Sequence, residues 1–348
     1  MIARLGLLLV LAVALGAGSP SARVSKAPPC QVGALVSLRT GKVLRRFSAL
    51  GGAVPDGRGG WFVARGGTEL RRMRHDGSLR KGWHSRPTRG RAIGGLVRLG
   101  EKLYVNDGYR VFALSARTGR RLWTSQRAHQ GPRVGILAMA ATLRAVYIGG
   151  YLTQVGEMRR RRLAALDART GRLLPWQAPP LGYYRGSFPV VTALALSPAR
   201  LYFGGSFLSV GGARRLDGVA AVRLRDGRLT TFAPRSTVWN LSTLVVAGRR
   251  VLIGGPEGGG VFDARTGTRR PGMAPLPSAS AITVHGATAY LGGDLRTSIG
   301  GHNLLAIDLR SGKLNPWSPN LARYVTVGGI AITGTKAFVG GSFCSSIG

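Results

Sequence analysis

Acidic residues are scarce in this sequence, which has 13 Asp and Glu among its 348 residues against 50 Lys and Arg. The formal net charge of +37 favours a polyanion as ligand, such as an acidic glycan or an anionic envelope polymer. Arginine is spread over the whole chain, so codon bias of the source genome is a second interpretation of the excess. The sequence lacks helix–turn–helix, zinc-finger and RNA-binding signatures, and we do not expect nucleic acid as a partner.

The sequence also lacks a constellation that would carry catalysis or bind a metal. Its five histidines lie far apart, without a spacing such as His-x-x-x-His. Most aspartates directly precede glycine or stand in an Asp-x-x-Thr-Gly turn, where the carboxylate bonds to nearby backbone N–H groups. We therefore assign no catalytic, cofactor-binding or metal-binding residues from the sequence.

Long apolar runs are absent except at the N-terminus, where a charged Met1–Arg4 precedes the apolar segment Leu5–Leu15. Small residues follow, and the run falls short of the ~20 residues that a membrane span needs. This pattern predicts a signal peptide over residues 1–22, followed by an extended lead over 23–32. We expect an extracytoplasmic protein (extracellular, in the cell wall or in the periplasm) without a membrane span.

A repeated phrase fills the rest of the chain. Its clearest copy, Leu163–Trp176, is an apolar run, an Asp-x-x-Thr-Gly turn and a second short run that ends on Trp, which is typical of a β-hairpin. Two further short apolar runs precede most copies, so each unit predicts a four-stranded antiparallel meander. The turn glycines lie 36 to 56 residues apart, at positions 41, 77, 119, 171, 227, 267 and 312.

This periodicity predicts an all-β protein with one β-propeller over residues 33–348. We expect seven four-stranded blades, with six or eight as the alternatives if the weak unit around 51–83 is misread. The hairpin at 34–47 lacks strands in front of it, and the strands at about 326–332 and 336–341 lack a hairpin after them. Both ends of the chain should therefore share the closing blade, which leaves no open sheet edge.

The phrase Ala-x-Asp-x-x-Thr-Gly-x-x-x-Trp resembles the tryptophan-docking repeat of PQQ-like, quinoprotein-type β-propellers, and the whole mature chain resembles a secreted bacterial repeat family of that fold. In such propellers the aromatic residue wedges between neighbouring blades. The unit that ends at Arg270–Gly272 has no aromatic, and we expect it to dock more loosely. The corresponding aromatics here are Phe47, Trp83, Trp123, Trp176, Phe232 and Trp317.

Quinoproteins of this fold hold a quinone and calcium through acidic and amide side chains, often beside a disulfide of adjacent cysteines. This sequence has no adjacent cysteines and few acids outside turns, so we expect no cofactor. A non-catalytic binding or scaffolding module is the favoured function. The alternative is an enzyme with its site in the axial channel, either a quinoprotein-like oxidoreductase or a glycan-acting hydrolase or lyase.

The two cysteines, Cys30 and Cys344, align with positions that flank the same loop of a complete repeat unit. Because export would bring the chain into an oxidising compartment, we predict a disulfide that closes the ring.

One face of the propeller should carry both the loops between second and third strands and the connections between blades. These loops contain several arginines and tyrosines, and Arg forks suit carboxylate, sulfate or phosphate groups. We predict a monomer that binds acidic polysaccharide, another envelope polyanion or a protein partner on this face. The candidate residues are Arg159, Arg160, Arg161, Arg162, Tyr183, Tyr184, Arg185, Arg214, Arg215, Arg296 and His302.

Overall fold

The computed structural model describes residues 13–14, 31–130, 133–183, 188–214, 218–234, 241–293, 303–317, 319, 321 and 325–343. These residues form antiparallel β-strands joined by turns and loops, and none of them is helical. Over the same ranges, no helix has the length and apolar character needed to cross a membrane. The predicted all-β architecture is therefore confirmed.

The described residues form seven antiparallel blade sheets and two smaller ones, and we call the seven the closing blade and blades 1 to 6. The closing blade consists of Val325–Thr333, Lys336–Phe343, Gln31–Ser37 and Val43–Ser48, blade 1 of Leu50–Pro55, Trp61–Arg65, Glu69–Met73 and Leu79–Ser85, and blade 2 of Gly95–Leu99, Lys102–Asn106, Val111–Ser115 and Arg121–Thr124. Blade 3 consists of Ile136–Ala141, Ala145–Gly150 and Leu163–Asp167, and blade 4 of Val190–Leu196, Arg200–Ser206 and Val219–Arg223. Blade 5 consists of Thr243–Ala247, Arg250–Gly255 and Gly258–Asp263, and blade 6 of Ala281–His285, Thr288–Gly292, Leu304–Asp308 and Leu314–Asn315.

The fourth strand of blades 3, 4 and 5 is reduced to a single bridge. The three bridges join Leu166 to Leu173, Val222 to Leu229, and Phe262 to Arg269.

The closing blade draws its strands from both ends of the described chain. Gln31–Ser37 pairs along its whole length with Lys336–Phe343, so the first described blade strand begins two residues before the predicted boundary at 33. The first strands of the seven sheets contact one another in chain order, and that of blade 6 contacts Val325–Thr333 of the closing blade. The sheets therefore form a closed ring. At its inner edge, Val13–Ala14 pairs with Gly95–Leu96 of blade 2.

Among the described residues the hydrophobic core consists of seven buried clusters, each shared by two neighbouring blades. Between blades 3 and 4, for example, Leu163 packs in one cluster with Phe203 and Phe207, and all three are buried. Because the apolar surface is buried between sheets, each blade depends on its neighbours for stability.

The predicted docking aromatics lie at the junctions between blades. The indole N–H of Trp83 donates to the carbonyl of Ala116 at 3.1 Å, and that of Trp317 donates to the carbonyl of Ser37 at 2.8 Å. Ala116 lies in the hairpin turn of blade 2, and Ser37 is the last strand residue before the hairpin turn of the closing blade. Phe232 makes no such bond but is fully buried against Tyr202, with ring centroids 5.0 Å apart.

Two faces of the ring follow from this topology. The loop face carries the loops between second and third strands together with the connections between blades. The turn face carries the tight turns between first and second strands and the Asp-x-x-Thr-Gly turns between third and fourth strands. In those turns the carboxylate accepts backbone N–H bonds, as Asp167 does from Arg169 at 2.9 Å and from Thr170 at 2.7 Å.

Candidate anion-binding site on the loop face

The arginine run 159–162 divides into two exposed and two buried side chains. Arg159 and Arg161 are exposed on the loop face. Arg160 is buried and donates to the carbonyl oxygens of Arg159 at 2.7 Å and Leu174 at 2.9 Å, and its burial lowers the pKa of its guanidinium. Arg162 is also buried, with its guanidinium bonded to the carbonyl of Tyr151. The alternating exposure means that half of the predicted run fixes the loop and the other half faces solvent.

Of the other predicted ligand-face residues, Tyr183 is exposed and its ring lies 5.6 Å from that of Phe188. Arg214 belongs to the short strand Ala213–Arg214, which pairs with Ser209–Val210. The remaining candidates lie outside the described residues, as do both cysteines of the predicted disulfide: Tyr184, Arg185, Arg215, Arg296, His302, Cys30 and Cys344.

A small additional sheet supports the loop face above blade 3. Its strands are Arg133–Val134, Ala128–Gln130, Gln154–Val155 and Met158–Arg159, in that spatial order. The sheet joins the connection between blades 2 and 3 to the long loop of blade 3. It therefore places the exposed Arg159 in a hydrogen-bonded framework.

Tyr109, in the corresponding loop of blade 2, lies beside two exposed arginines. The guanidinium carbon of Arg127 is 4.2 Å from the centroid of the Tyr109 ring, and that of Arg91 is 5.2 Å away. Both distances are within the range of a cation–π interaction. We call Arg91, Tyr109, Arg127 and Arg159 the Tyr109 patch.

Backbone bonds hold together the segments that carry Tyr109, Arg127 and Arg159. The N–H of Ala128 donates to the carbonyl of Tyr109 at 2.7 Å, and the N–H of Gly156 donates to the carbonyl of Arg127 at 2.8 Å. Asp107 fixes the tip of the Tyr109 loop by accepting N–H bonds from Tyr109 at 2.9 Å and Arg110 at 2.7 Å. The patch therefore stands on a preorganised backbone.

The positive charge of the patch is not neutralised by ion pairs within the described chain. None of Arg91, Arg127 and Arg159 forms a salt bridge with a described carboxylate. The exposed Glu157 adjoins the patch in sequence, and Asp107 is occupied by its two backbone bonds. Exposed guanidinium groups in such surroundings can bind carboxylate, sulfate or phosphate groups through charge-assisted hydrogen bonds.

Sequence reasoning identified the arginine run but missed Arg91, Tyr109 and Arg127. These residues are separated by up to 36 positions in the chain and meet only through the packing of a blade connection against a loop. The only sequence signal that could have identified this group is that a tyrosine and two arginines stand in loops of the same face.

The quinone and calcium that the resemblance implies do not fit the described residues. Over the described ranges, no three His, Cys, Asp or Glu side chains come close enough to hold a metal ion. The buried carboxylate of Asp56 is paired with Arg72 at 2.8 Å, and the Asp side chains of the hairpin turns accept turn N–H groups, as in Asp263 and Asp308. The described chain thus offers no free acidic set for such a cofactor.

Comparison with known proteins agrees with this architecture. Residues 31–180 match the model of a PQQ-type repeat family described as outer membrane protein assembly factor BamB. A search of curated proteins finds no significant match.

Three solved structures resemble most of the chain at low sequence identity. The computationally designed Ika8 protein is 15% identical with a TM-score of 0.56, covering 86% of this chain and 84% of its own. BamB from Moraxella catarrhalis is 16% identical with a TM-score of 0.51, covering 86% and 88%. The β-propeller domain of Cps50 (Swd1) from Myceliophteria thermophila is 10% identical with a TM-score of 0.58, covering 84% and 96%.

At these identities the solved structures establish the fold alone. They show that the chain has the β-propeller fold, and the family match makes residues 31–180 similar to the PQQ-type repeats.

Proposed function

We propose that this propeller is a non-catalytic binding or scaffolding module that acts outside the cytoplasm and holds an anionic polymer of the envelope on its loop face. The observation that carries the proposal is the Tyr109 patch, in which two exposed guanidinium groups flank one aromatic ring. The guanidinium groups can bind acidic substituents while their contact with the Tyr109 ring holds them in place, so the combination suits an acidic polysaccharide.

Two further observations support an extracytoplasmic scaffold. The N-terminal segment has the pattern of a signal peptide. The matched family model is described as an outer membrane assembly factor, which favours a role in holding partners together. A protein with an acidic surface is therefore the second ligand class that this face would suit.

A variant with three substitutions tests the proposal. Arg91→Ser, Arg127→Ser and Arg159→Ser remove three exposed charges from the Tyr109 patch. The control variant carries Arg117→Ser, Arg265→Ser and Arg310→Ser, which remove three exposed charges from the turn face. Both variants have the same net charge, so any difference between them reports position.

The measurement is the salt concentration that elutes each protein from an immobilised acidic polysaccharide. Screening by salt weakens exposed charge interactions, so the patch variant should elute at clearly lower salt than the control. Equal elution of the two variants would mean that net charge alone drives retention, and the proposed site would be wrong.

A further inference from the structure

A second basic site lies on the turn face of blade 1, opposite the Tyr109 patch. A cleft of about 250 Å³ opens between the turn Asp56–Gly60 and the segment Met73–Arg80. Four arginines and one histidine line it together with a single carboxylate. The lining cations are Arg58, Arg72, Arg74, His75 and Arg80.

The carboxylate of Asp56 already has hydrogen-bond partners at both oxygens within the protein. Asp56 accepts the N–H groups of Arg58 at 2.7 Å and Gly60 at 2.8 Å through one oxygen. Its other oxygen pairs with the buried guanidinium of Arg72 at 2.8 Å. Burial opposes ionisation of Asp56, but these N–H groups and Arg72 outweigh it and hold its pKa below the usual value.

The floor of the cleft is closely packed. A Cβ atom on Gly60 would overlap with the carbonyl oxygen of Met73, so the turn and the third strand approach each other closely. The guanidinium of Arg72 also stacks 5.6 Å from the Phe62 ring. A preorganised floor of this kind lowers the ordering cost of binding.

The rim of the cleft carries an excess of positive charge, although the carboxylate of Asp76 interacts electrostatically with His75 and Arg74. Arg58, Arg74 and Arg80 are exposed. On the rim, Arg58 pairs with Glu101 at 3.9 Å, and this ion pair is weak because its side chains are 61% and 64% exposed. Lys336 adds a further cation, because its ammonium group donates to the carbonyl of His75 at 2.9 Å.

We propose that this cleft binds a phosphate group, either as the inorganic ion or as a phosphate ester on a larger ligand. A planar carboxylate has two oxygens, which one arginine fork can satisfy. Arginines on the turn, the strand and the opposite segment surround the cleft from several sides, which suits a tetrahedral group with three or four acceptor oxygens. The volume of the cleft accommodates one phosphate group and part of the larger ligand to which it is esterified. The site is independent of the loop-face proposal, because no residue is shared.

The test measures inorganic phosphate binding to the full-length purified protein by isothermal titration calorimetry, with chloride keeping the ionic strength constant. The variant is Arg74→Ser with Arg80→Ser, both exposed, so the fold should be retained. The control is Arg265→Ser with Arg310→Ser, which removes two exposed charges from the same face. We expect phosphate binding at least tenfold weaker in the cleft variant and within twofold of the original in the control.

A second arm uses a phosphorylated polysaccharide as the probe, which should lose affinity in the cleft variant as well if the site accepts phosphate esters. Tight inorganic phosphate binding with no effect of the cleft variant on the polymer would restrict the site to the free ion. Equal weakening in cleft and control variants, or no phosphate binding to the original protein, would overturn the proposal. Unchanged thermal unfolding of the variants without phosphate verifies that they are folded.

Discussion

Two junctions between neighbouring blades are built from different parts of the chain. Between blades 2 and 3, the Trp123 ring lies on the turn glycine Gly171, where an added Cβ atom would overlap with it. Between blades 5 and 6, where the docking aromatic is missing, a Cβ atom on Gly312 would instead overlap with the carbonyl oxygen of Gly272. One junction is closed by a side chain and the other by the backbone itself.

The difference extends to the hydrogen bonds at each junction. At the Trp123 junction the carbonyl of Ala168 accepts three donors: the indole N–H of Trp123 at 3.3 Å, the hydroxyl of Tyr104 at 3.3 Å and the ammonium of Lys102 at 2.8 Å. In blade 5 the position of Tyr104 is occupied by Leu252, which has no donor. At the blade 5 to 6 junction, the backbone at Gly272 lies against the turn glycine where other blades have an aromatic ring. The absence of the aromatic therefore leaves no gap there, and the expectation of looser docking needs a direct test.

The largest expected effect comes from Trp123→Ala. The ring is half-buried, so the loss should be about 3 kcal/mol, near the lower end for an aromatic truncated to alanine. The matched change Met273→Ala at the blade 5 to 6 junction should cost about 1 kcal/mol, because this half-buried side chain contributes less of the contact. Urea unfolding midpoints measure both. Equal losses would show that the aromatic has no special role.

The next effect concerns the turn glycines. Gly171 has φ of 74° and Gly312 has φ of 72°, so alanine at either position should cost about 1–2 kcal/mol from backbone conformation alone. The neighbours then separate the two sites. The cost of Gly171→Ala should fall in a Trp123→Ala background, because the overlapping ring is gone.

The cost of Gly312→Ala should not fall in a Met273→Ala background, since the overlapping atom is the backbone oxygen of Gly272. Two double-mutant cycles on the free energy of unfolding measure these couplings. A coupling of the same size in both cycles would contradict the distinction between a side-chain junction and a backbone junction.

The repeat predicted this architecture because its signals are local and periodic. An Asp-x-x-Thr-Gly turn forms through bonds within four residues, as in Asp263 with Thr266, and an aromatic at a fixed distance beyond the turn is carried to the next blade. The close approach of Gly272 to Gly312 was not predictable in this way. This contact joins two segments that are 40 positions apart, and no residue type in the sequence predicts it.

The candidate sites show the same limit. The run at 159–162 supplied four ligand-face candidates, and the structure buries two of them, Arg160 and Arg162, against backbone carbonyls. The pairing of Tyr109 with Arg127 and the cleft around Arg72 both depend on which loops and turns the blades place side by side. The sequence shows which residues are charged, but it does not show which of them the fold brings together.

The smallest expected effect at neutral pH comes from Tyr104→Phe. The hydroxyl shares its acceptor with two other donors, so its loss should cost no more than about 1 kcal/mol. The pH dependence is more informative. Burial, and then the negative charge of Asp167, raise the pKa of Tyr104 from 10.0 to about 12.

A raised pKa means that the folded state holds this proton more tightly than the unfolded state. Below pH 10 both states are protonated and the contribution of Tyr104 to stability is complete. As the pH rises from about 10 to about 12, the unfolded state loses the proton first and stability falls. Burial also raises the pKa values of Tyr147 and Tyr202, so only the difference between the original protein and the variant isolates Tyr104.

Urea unfolding at several pH values between 8 and 12 measures that difference, provided that tyrosinate absorbance of the folded protein is followed in parallel. The original protein should lose stability more steeply above pH 10 than the Tyr104→Phe variant. Leu252→Phe at the blade 5 to 6 junction is the matched control, since it changes a buried side chain without adding or removing an ionisable group. Parallel curves for the original protein and Tyr104→Phe would mean that Tyr104 titrates as it does in the unfolded chain, and that burial does not raise the pKa of its hydroxyl.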